Sequence, residues 1–181
     1  TTSGLCPNSS NVSLTVTSLD DATFNYSLAT YCSNLTDPTP TVSGTPGGTF
    51  TSTVGLSINA TTGTVDLSAS SPGVYTITYA TSGACSNSST QSLTINAAPS
   101  DPTVVTPMTV CPGDDVIISA TGSGTGSIIF YDNTMTQIAS NPMPPATATF
   151  NAGALAIGPY TFFATEDNGT CESLPVTINV T

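Results

Sequence analysis

The sequence contains no lysine, arginine, histidine or tryptophan among its 181 residues, whereas it has 11 aspartate and glutamate side chains and a formal net charge of −11. Many catalytic chemistries need one of the missing side chains, such as a histidine base, a Schiff-base lysine or an arginine that clamps phosphate. Nucleic acid and anionic lipid surfaces are bound chiefly through basic side chains. The composition therefore predicts a protein that is not an enzyme and that binds neither nucleic acid nor membranes directly.

Good helix formers and long apolar runs are also scarce, and no stretch approaches the roughly 20 residues of a membrane-spanning helix. Threonine (35 residues) and serine (24) are abundant, with 15 glycines and 14 prolines. Threonine favours strands, glycine and proline favour turns, and a hydrophobic content of 38% is sufficient for a folded core. We therefore expect an all-β protein.

A nine-residue segment that contains a cysteine occurs twice in the chain. The segment Thr2–Ser10 recurs as Thr81–Ser89, and a weaker third copy surrounds Cys171. An alternating run of apolar and polar residues follows each copy, which is typical of the end of a repeated module. The repetition predicts a closing strand of a preceding module (1–17), a complete module (18–97) and a second module (98–181).

The five cysteines are distributed in the same way in both complete modules. Each module has one early and one late cysteine, and this arrangement favours the pairs Cys32–Cys85 and Cys111–Cys171, although five cysteines allow other pairings. Cys6 is then unpaired within the chain, with its partner expected in the preceding module. Disulfides of this kind imply an oxidising, extracellular setting, and the alternative is free thiols in a cytosolic protein.

Alternation of apolar and polar residues predicts about seven short strands in each module. We expect these side chains to face inward: Phe24, Tyr26, Leu28, Val65, Leu67, Tyr75, Ile77 and Tyr79, then Val116, Ile118, Ile128, Phe130, Tyr160, Phe162, Val176, Ile178 and Val180. Turns rich in proline and glycine are expected at 45–48, 71–73, 111–114 and 140–142. This pattern favours tandem immunoglobulin-like antiparallel β-sandwiches.

Tyr75 and Tyr160 each follow a glycine by two residues, early in the penultimate predicted strand. A tyrosine there forms a tyrosine corner in immunoglobulin-like domains, where its hydroxyl donates a hydrogen bond to the preceding connection. We expect both residues to be structural.

The same residues resemble a known family of repeats. Segments of the first module are similar to the repeat unit of the giant surface adhesins of Bacteroidetes, including those used in gliding motility: 31–32, 37–40, 47–50, 55–58, 62–68 and 72–79. Residues 103–180 resemble the immunoglobulin-like modules found beside those repeats. The resemblance implies export to the bacterial cell surface, by type IX secretion, as a segment of a longer adhesin.

Acidic residues are the candidates for a metal site. Calcium prefers clustered carboxylate and carbonyl oxygens, and this chain has no basic side chain to balance a carboxylate cluster. The candidate ligands are Asp20, Asp21, Asp101, Asp114 and Asp115. Aspartate also initiates turns, and no calcium-loop motif is present. We expect Glu166 and Glu172, which flank a turn, to be solvated, and no other cofactor is expected.

The leading hypothesis is a non-enzymatic adhesin segment of disulfide-linked modules, whose partners are adjacent repeat modules and a polysaccharide or protein ligand that the sequence does not identify. An alternative is a subunit of a surface filament or surface layer, a homopolymer in which residues 1–17 complete a sheet of another copy. A carbohydrate-binding module is a third hypothesis, for which Tyr31 and Tyr131 are the aromatic residues least certain to be buried.

Overall fold

The computed structural model describes residues 11–181 except Pro107, Thr125 and residues 143–145. The described residues form strands, turns and irregular segments, and no helix among them is long and apolar enough to cross a membrane. Eight strands precede residue 97: β1 (Phe24–Asn25), β2 (Thr30–Cys32), β3 (Thr41–Val42), β4 (Thr49–Ser52), β5 (Ser57–Ile58), β6 (Val65–Asp66), β7 (Gly73–Ala80) and β8 (Ser88–Asn96). Seven follow it: β9 (Thr103–Val104), β10 (Asp115–Thr121), β11 (Ser127–Tyr131), β12 (Gln137–Pro142), β13 (Thr147–Ala154), β14 (Tyr160–Asp167) and β15 (Val176–Val180).

The first sandwich is built from β1 to β8. Its larger sheet has the order β2-β8-β7-β4, in which β2 runs parallel to β8 and the other neighbours are antiparallel. The β1-β3 pair and the β5-β6 hairpin make up the rest of its strands. The backbone N–H of Val65 in β6 donates to the carbonyl of Pro38 (3.0 Å), which connects the hairpin to the segment before β3.

The second sandwich is built from β9 to β15. One sheet has the order β13-β10-β9 and the other β12-β11-β14-β15, and all their pairings are antiparallel. Just before residue 111 the chain crosses to the second sheet, where Met108 forms a parallel bridge with Val180. The short parallel segment beside the last strand is therefore present in both sandwiches, at β2 and at Met108.

Each sandwich has its own hydrophobic core. The first core is rich in aromatic rings, with Phe24 lying 5.5 Å from Phe50 and 6.0 Å from Tyr79 between ring centroids. The second core is mainly aliphatic around Phe130. Because the two clusters share no residue, burial within each sandwich stabilises that sandwich separately. The all-β, immunoglobulin-like fold class predicted from the sequence is confirmed.

Most of the side chains expected to face inward are buried, but Leu28 is 57% exposed. The run from Phe24 to Cys32 was expected to be one strand. It is divided instead between β1 and β2, which belong to different sheets, and the chain bends at Ser27 as it crosses from one to the other. The turn expected at 140–142 is also wrong, because these residues end β12, paired with β11.

Tyrosine hydroxyls fasten the turns of the first sandwich. The Tyr75 hydroxyl donates to the carbonyl of Ser71, four residues upstream, as in a tyrosine corner. The Tyr79 hydroxyl donates to the Thr45 carbonyl (2.8 Å) and accepts from the Gly48 N–H (2.9 Å). Both rings are buried, and each hydroxyl forms hydrogen bonds with backbone groups of a turn. Tyr160 instead packs, half-buried, at the margin of the second core.

Residues 11–19, part of the expected closing strand of a preceding module, form no strand in the structure. Val12, Leu14 and Val16 are 90%, 86% and 87% exposed. The matching residues of the repeat, Leu93 and Ile95, are 1% exposed because β8 is paired with β7. The segment 11–19 thus has the apolar alternation of a sheet strand and lacks such a pairing within the described residues.

Candidate functional site at the junction of the two sandwiches

The two ends of each sandwich carry different features, which we call the entry pole and the exit pole. The entry pole holds the loop between the last two strands, residues 81–87 in the first sandwich and 168–175 in the second. The exit pole holds the end of the last strand and the parallel segment beside it, where Cys32 lies in the first sandwich and Cys111 in the second. The exit pole of the first sandwich meets the entry pole of the second.

A disulfide joins the two sandwiches at this junction. It connects Cys32 with Cys171, with 5.8 Å between their Cα atoms and a sequence separation of 139. The predicted pairs Cys32–Cys85 and Cys111–Cys171 are therefore wrong. The structure places the bond between modules, where the sequence interpretation placed one bond within each module.

The geometry of β8 explains why the first predicted pair does not form. Cys32 is paired with Asn96 at the end of β8, whereas Cys85 lies in the loop before Ser88, where β8 begins. Eight residue steps of extended chain span about 27 Å, and a disulfide needs Cα atoms within about 7 Å. Cys32 and Cys85 therefore lie at opposite poles of one sandwich.

The second sandwich repeats this geometry. Cys171 lies in the loop before β15, and Cys111 follows Val110, whose N–H donates to the carbonyl of Thr181 just beyond the end of β15 (3.0 Å). The early and late cysteines of one sandwich are again at opposite poles. A cysteine at an exit pole therefore cannot reach the late cysteine of its own sandwich.

Hydrogen bonds across the junction surround the disulfide. The Asn34 side-chain amide donates to the Glu172 carbonyl (2.8 Å), and the Asn168 amide donates in the opposite direction to the Ala97 carbonyl (3.0 Å). The N–H of Leu174 donates to the carboxylate of Asp101 in the linker (3.0 Å). Contacts from both sandwiches and from the linker therefore hold the junction together with the covalent bond.

Two cysteines of the described chain are free thiols. Cys85 is half-buried and lies 2.7 Å from the Thr17 hydroxyl, between sulfur and oxygen, whereas Cys111 is exposed. The prediction for Cys6 lies outside the described residues. The free thiols thus lie at the two poles that the junction does not use, the entry pole of the first sandwich and the exit pole of the second.

The five candidate calcium ligands are not brought together. No group of three or more acidic, cysteine or histidine side chains that could hold a metal ion occurs among the residues described. Asp21 accepts hydrogen bonds from the N–H and hydroxyl of Thr23, Asp101 accepts from Leu174, and Asp115 accepts from the Asn151 amide. Asp20 is at the first entry pole, and Asp114 is in the exposed turn after Cys111. The carboxylates of Asp21, Asp101 and Asp115 therefore stabilise turns and connections, which is the alternative that the sequence left open.

Tyr31 and Tyr131 do not form an exposed aromatic platform. Tyr31 is 5% exposed, and its hydroxyl accepts from the N–H of Leu28 (3.0 Å). The Tyr131 hydroxyl donates to the carboxylate of Glu172 (2.5 Å). Both rings are therefore used within the fold, and the structure supplies no support for sugar stacking at either position.

Glu166 is the buried acidic residue that sequence reasoning missed. Its side chain is fully buried, although a solvated position was expected, and its carboxylate accepts hydrogen bonds from both the N–H (2.7 Å) and the hydroxyl of Ser123. Gly122 allows this approach, since a Cβ there would lie 2.6 Å from a carboxylate oxygen. Glu166 thus fixes Gly122 and Ser123, at the start of a glycine-rich loop, at the entry pole of the second sandwich. Glu172 is likewise engaged, by Tyr131 and Thr165.

Replacing Glu166 with alanine should destabilise the second sandwich by about 2–4 kcal/mol, because it removes buried volume and two hydrogen bonds to a charged or polar acceptor. Urea denaturation of the wild type and the variant measures this difference. Asp114→Ala, in an exposed turn, is the matched control and should change the unfolding free energy by no more than about 0.5 kcal/mol. Equal effects of the two substitutions would show that the Ser123 contact contributes nothing.

Hydrogen bonds and burial shift several pKa values. The pKa of the Asp21, Asp66 and Asp132 carboxyls is held below the ordinary 3.8 by hydrogen bonds from neighbouring hydroxyl and N–H groups. Burial raises the pKa of Tyr131 to about 12, with a further contribution from its hydrogen bond to Glu172, and burial also raises the pKa of Tyr26. The acidic and alkaline limits of stability therefore depend on different residues.

The melting temperature should be nearly constant between about pH 5.5 and 8, because the chain has no histidine. It should fall above about pH 10, where unfolded tyrosines ionise while Tyr26 and Tyr131 keep their protons in the fold.

Asp132→Asn should lower the melting temperature at neutral pH, and this difference should close as the pH falls through the lowered pKa of Asp132. Thermal melts of both chains across the pH range test these statements.

Comparisons with known proteins find similarity in fold only. No protein-family model matches the chain, and no curated protein matches it significantly. Among solved structures, a biofilm-associated protein BSP domain has 19% identity and a TM-score of 0.36 over 86% of this chain and 29% of that chain. Fibronectin(III)-like modules of Clostridium thermocellum CbhA have 15% identity and a TM-score of 0.38, over 87% of this chain and 93% of theirs. Titin domains z1z2 in complex with telethonin have 17% identity and a TM-score of 0.34, over 91% and 97%.

The chain spans less than a third of the biofilm-associated structure. The class that the fold defines is a tandem of immunoglobulin-like β-sandwiches. In this chain a disulfide joins the two consecutive sandwiches. Such a bond forms in oxidising compartments, which fits an extracellular protein.

Proposed function

We propose that this chain is a non-enzymatic structural segment of a cell-surface adhesin, in which consecutive sandwiches form a stiff stalk that positions adhesive surfaces away from the cell. The observation that supports the proposal is the Cys32–Cys171 bond between sandwiches, with the amides of Asn34 and Asn168 donating across the same junction. A bond that crosses a linker does little for either core and restricts the motion of one sandwich against the other. Restricting that motion is what a stalk requires.

The composition supports a passive role. The net charge of −11, with no basic side chain, keeps neighbouring stalks apart and soluble. The absence of histidine, lysine and arginine removes the side chains on which many catalytic mechanisms depend. Repeated modules also multiply weak contacts, so that a low affinity per module suffices to hold a surface.

The repeat motifs of residues 31–79 resemble those of Bacteroidetes surface adhesins. We therefore extend the proposal to export to the bacterial surface by type IX secretion and to a role in attachment, including gliding motility. The ligand in this proposal is a surface polysaccharide or protein.

Antibody fragments raised against the folded chain test the proposal on intact cells of the source organism. We expect them to label unpermeabilised cells and to reduce attachment to a solid surface, while fragments against a cytosolic protein do neither. Labelling that appears only after permeabilisation would overturn the proposal. Labelling without any effect on attachment would retain the surface location and exclude adhesion.

A further inference from the structure

The exit pole of the second sandwich has the same construction as the exit pole that carries the observed disulfide. In the first sandwich Tyr31 pairs in parallel with Ile95, and the N–H of Ser33 donates to Asn96 (2.9 Å). In the second, Met108 pairs in parallel with Val180, and the N–H of Val110 donates to Thr181 (3.0 Å). The residue that follows this donor is Asn34 in the first sandwich and Cys111 in the second.

This register places Cys111 where the first sandwich contacts its neighbour. Asn34 donates to the carbonyl of Glu172, the residue after the loop cysteine Cys171. Cys111 therefore occupies the position of Asn34, the residue that contacts the cysteine loop of the following sandwich at the observed junction. It is exposed as a free thiol.

The entry pole of the first sandwich matches the entry pole used at the junction. Cys85 and Cys171 both lie in the loop between the last two strands, two residues after Gly83 and Gly169. Each loop is tied to an aspartate at the start of its sandwich: the Cys85 carbonyl accepts from the N–H of Asp20 (2.9 Å), and Leu174 donates to Asp101. The Cys85 loop is thus the unoccupied counterpart of the Cys171 loop.

Apolar surface lies on both sides of such a contact. Beside Cys111 is a recess of about 80 Å³, lined by Val110, Leu155, Tyr160 and Val180, with Ile157 at its edge and 89% exposed. On the other side, the segment 11–19 precedes the entry pole of the first sandwich and exposes Val12, Leu14 and Val16.

We propose that copies of this chain join head to tail, with Cys111 of one copy bonded to Cys85 of the next, so that an exit pole again meets an entry pole, now between molecules. The inference goes beyond the proposed function, because it assigns a covalent partner and a direction of assembly. It does not depend on what the stalk adheres to.

The bond forms by thiol–disulfide exchange with a small disulfide such as oxidised glutathione. The Cys111 thiolate attacks one glutathione sulfur and releases the first reduced glutathione; the Cys85 thiolate of the second copy then attacks the Cys111 sulfur and releases the second. The two protein thiols supply two electrons and two protons, which leave in the two molecules of reduced glutathione. Because each copy carries a net charge of −11, salt should accelerate the encounter.

The test uses the 181-residue chain with Cys6→Ser, which leaves two free thiols. Incubation with reduced and oxidised glutathione near pH 8 and about 0.3 M salt should give a ladder of dimers, trimers and longer species on a non-reducing gel. Cys111→Ser and Cys85→Ser in this background should each remain monomeric alone. An equimolar mixture of the two should give a dimer and nothing longer, since only one Cys111–Cys85 bond can form.

Mass spectrometry of peptic peptides identifies the bond and confirms that Cys32–Cys171 is intact in every variant. The Cys111–Cys85 peptide should exceed either homotypic peptide about tenfold. Cys85–Cys85 or Cys111–Cys111 bonds in equal amounts, or a chain that stays monomeric while its Cys32–Cys171 bond is formed, would overturn the inference. The inference would also be overturned if, in the chain that retains Cys6, most of the Cys85 or most of the Cys111 were bonded to Cys6. Surface labelling of cells is unaffected by any of these results, so the two proposals can fail separately.

Discussion

Pulled from its two ends with the disulfide intact, the chain should extend only through residues outside the loop from Cys32 to Cys171, and breaking that bond should release about 470 Å more. The force enters at the N-terminus, passes from Cys32 directly to Cys171 and leaves through β15. The 139 residue steps between the two cysteines carry no tension, and each contributes roughly 3.4 Å once it is released. Most of both sandwiches is therefore shielded from the load.

Single-molecule force spectroscopy of the chain between two handles measures this extension directly. Cys32→Ser should show the full contour length without reductant, and reductant should have no further effect on it. Cys85→Ser, which removes a thiol outside the junction, should behave like the wild type. A wild-type chain whose extension does not change on reduction would show that the bond does not carry the load.

Replacing Phe24 with alanine should remove about 3–5 kcal/mol from the stability of the first sandwich. Phe24 is 2% exposed and contacts three rings, with centroid distances of 6.2 Å to Tyr26, 5.5 Å to Phe50 and 6.0 Å to Tyr79. The substitution leaves a cavity at the centre of these three rings, which belong to β4, β7 and the bend after β1. Because the cores share no residue, the second sandwich should keep its stability.

Hydrogen–deuterium exchange read peptide by peptide separates the two sandwiches. Protection of β7 and β8 should fall in the Phe24→Ala chain, while protection of β11 and β14 should stay at the wild-type level. Val54→Ala is the matched control, since Val54 is fully exposed, and it should leave both sandwiches unchanged. An equal loss of protection in β11 and β14 would mean that the sandwiches unfold as one unit.

The strands and the fold class follow from local sequence patterns. Alternation at Tyr75, Ile77 and Tyr79 encodes a strand with one buried face, and all three residues are buried. The period of two is a property of neighbouring residues, so it can be read without knowing the tertiary structure. The prediction that Leu28 is buried was wrong because the chain passes from one sheet to the other between β1 and β2, which depends on the tertiary structure.

The disulfide pairing could not be predicted in the same way. Early and late cysteines recur in each module, and that spacing is equally consistent with bonds inside modules and between them. The deciding fact is that β2 runs parallel to β8, which places Cys32 at the end of β8 opposite Cys85.

Glu166 illustrates a second limit. A glutamate near a turn is usually solvated, and the sequence around it gives no sign of burial. Its partner Ser123 lies 43 residues earlier, in a glycine-rich loop that brings backbone and hydroxyl donors to the carboxylate. Only the folding of β10, β11 and β14 into one sandwich brings these residues together.

The bond between Cys32 and Cys171 also determines whether the chain separates into fragments when a protease cleaves its backbone. Exposed loops are the usual sites of proteolytic cleavage, and a protein outside the cell meets proteases continually. A single cut anywhere from residue 33 to residue 170 leaves two fragments that the disulfide still holds together. The chain can therefore be cleaved once in either sandwich and remain one covalent molecule until the disulfide is reduced.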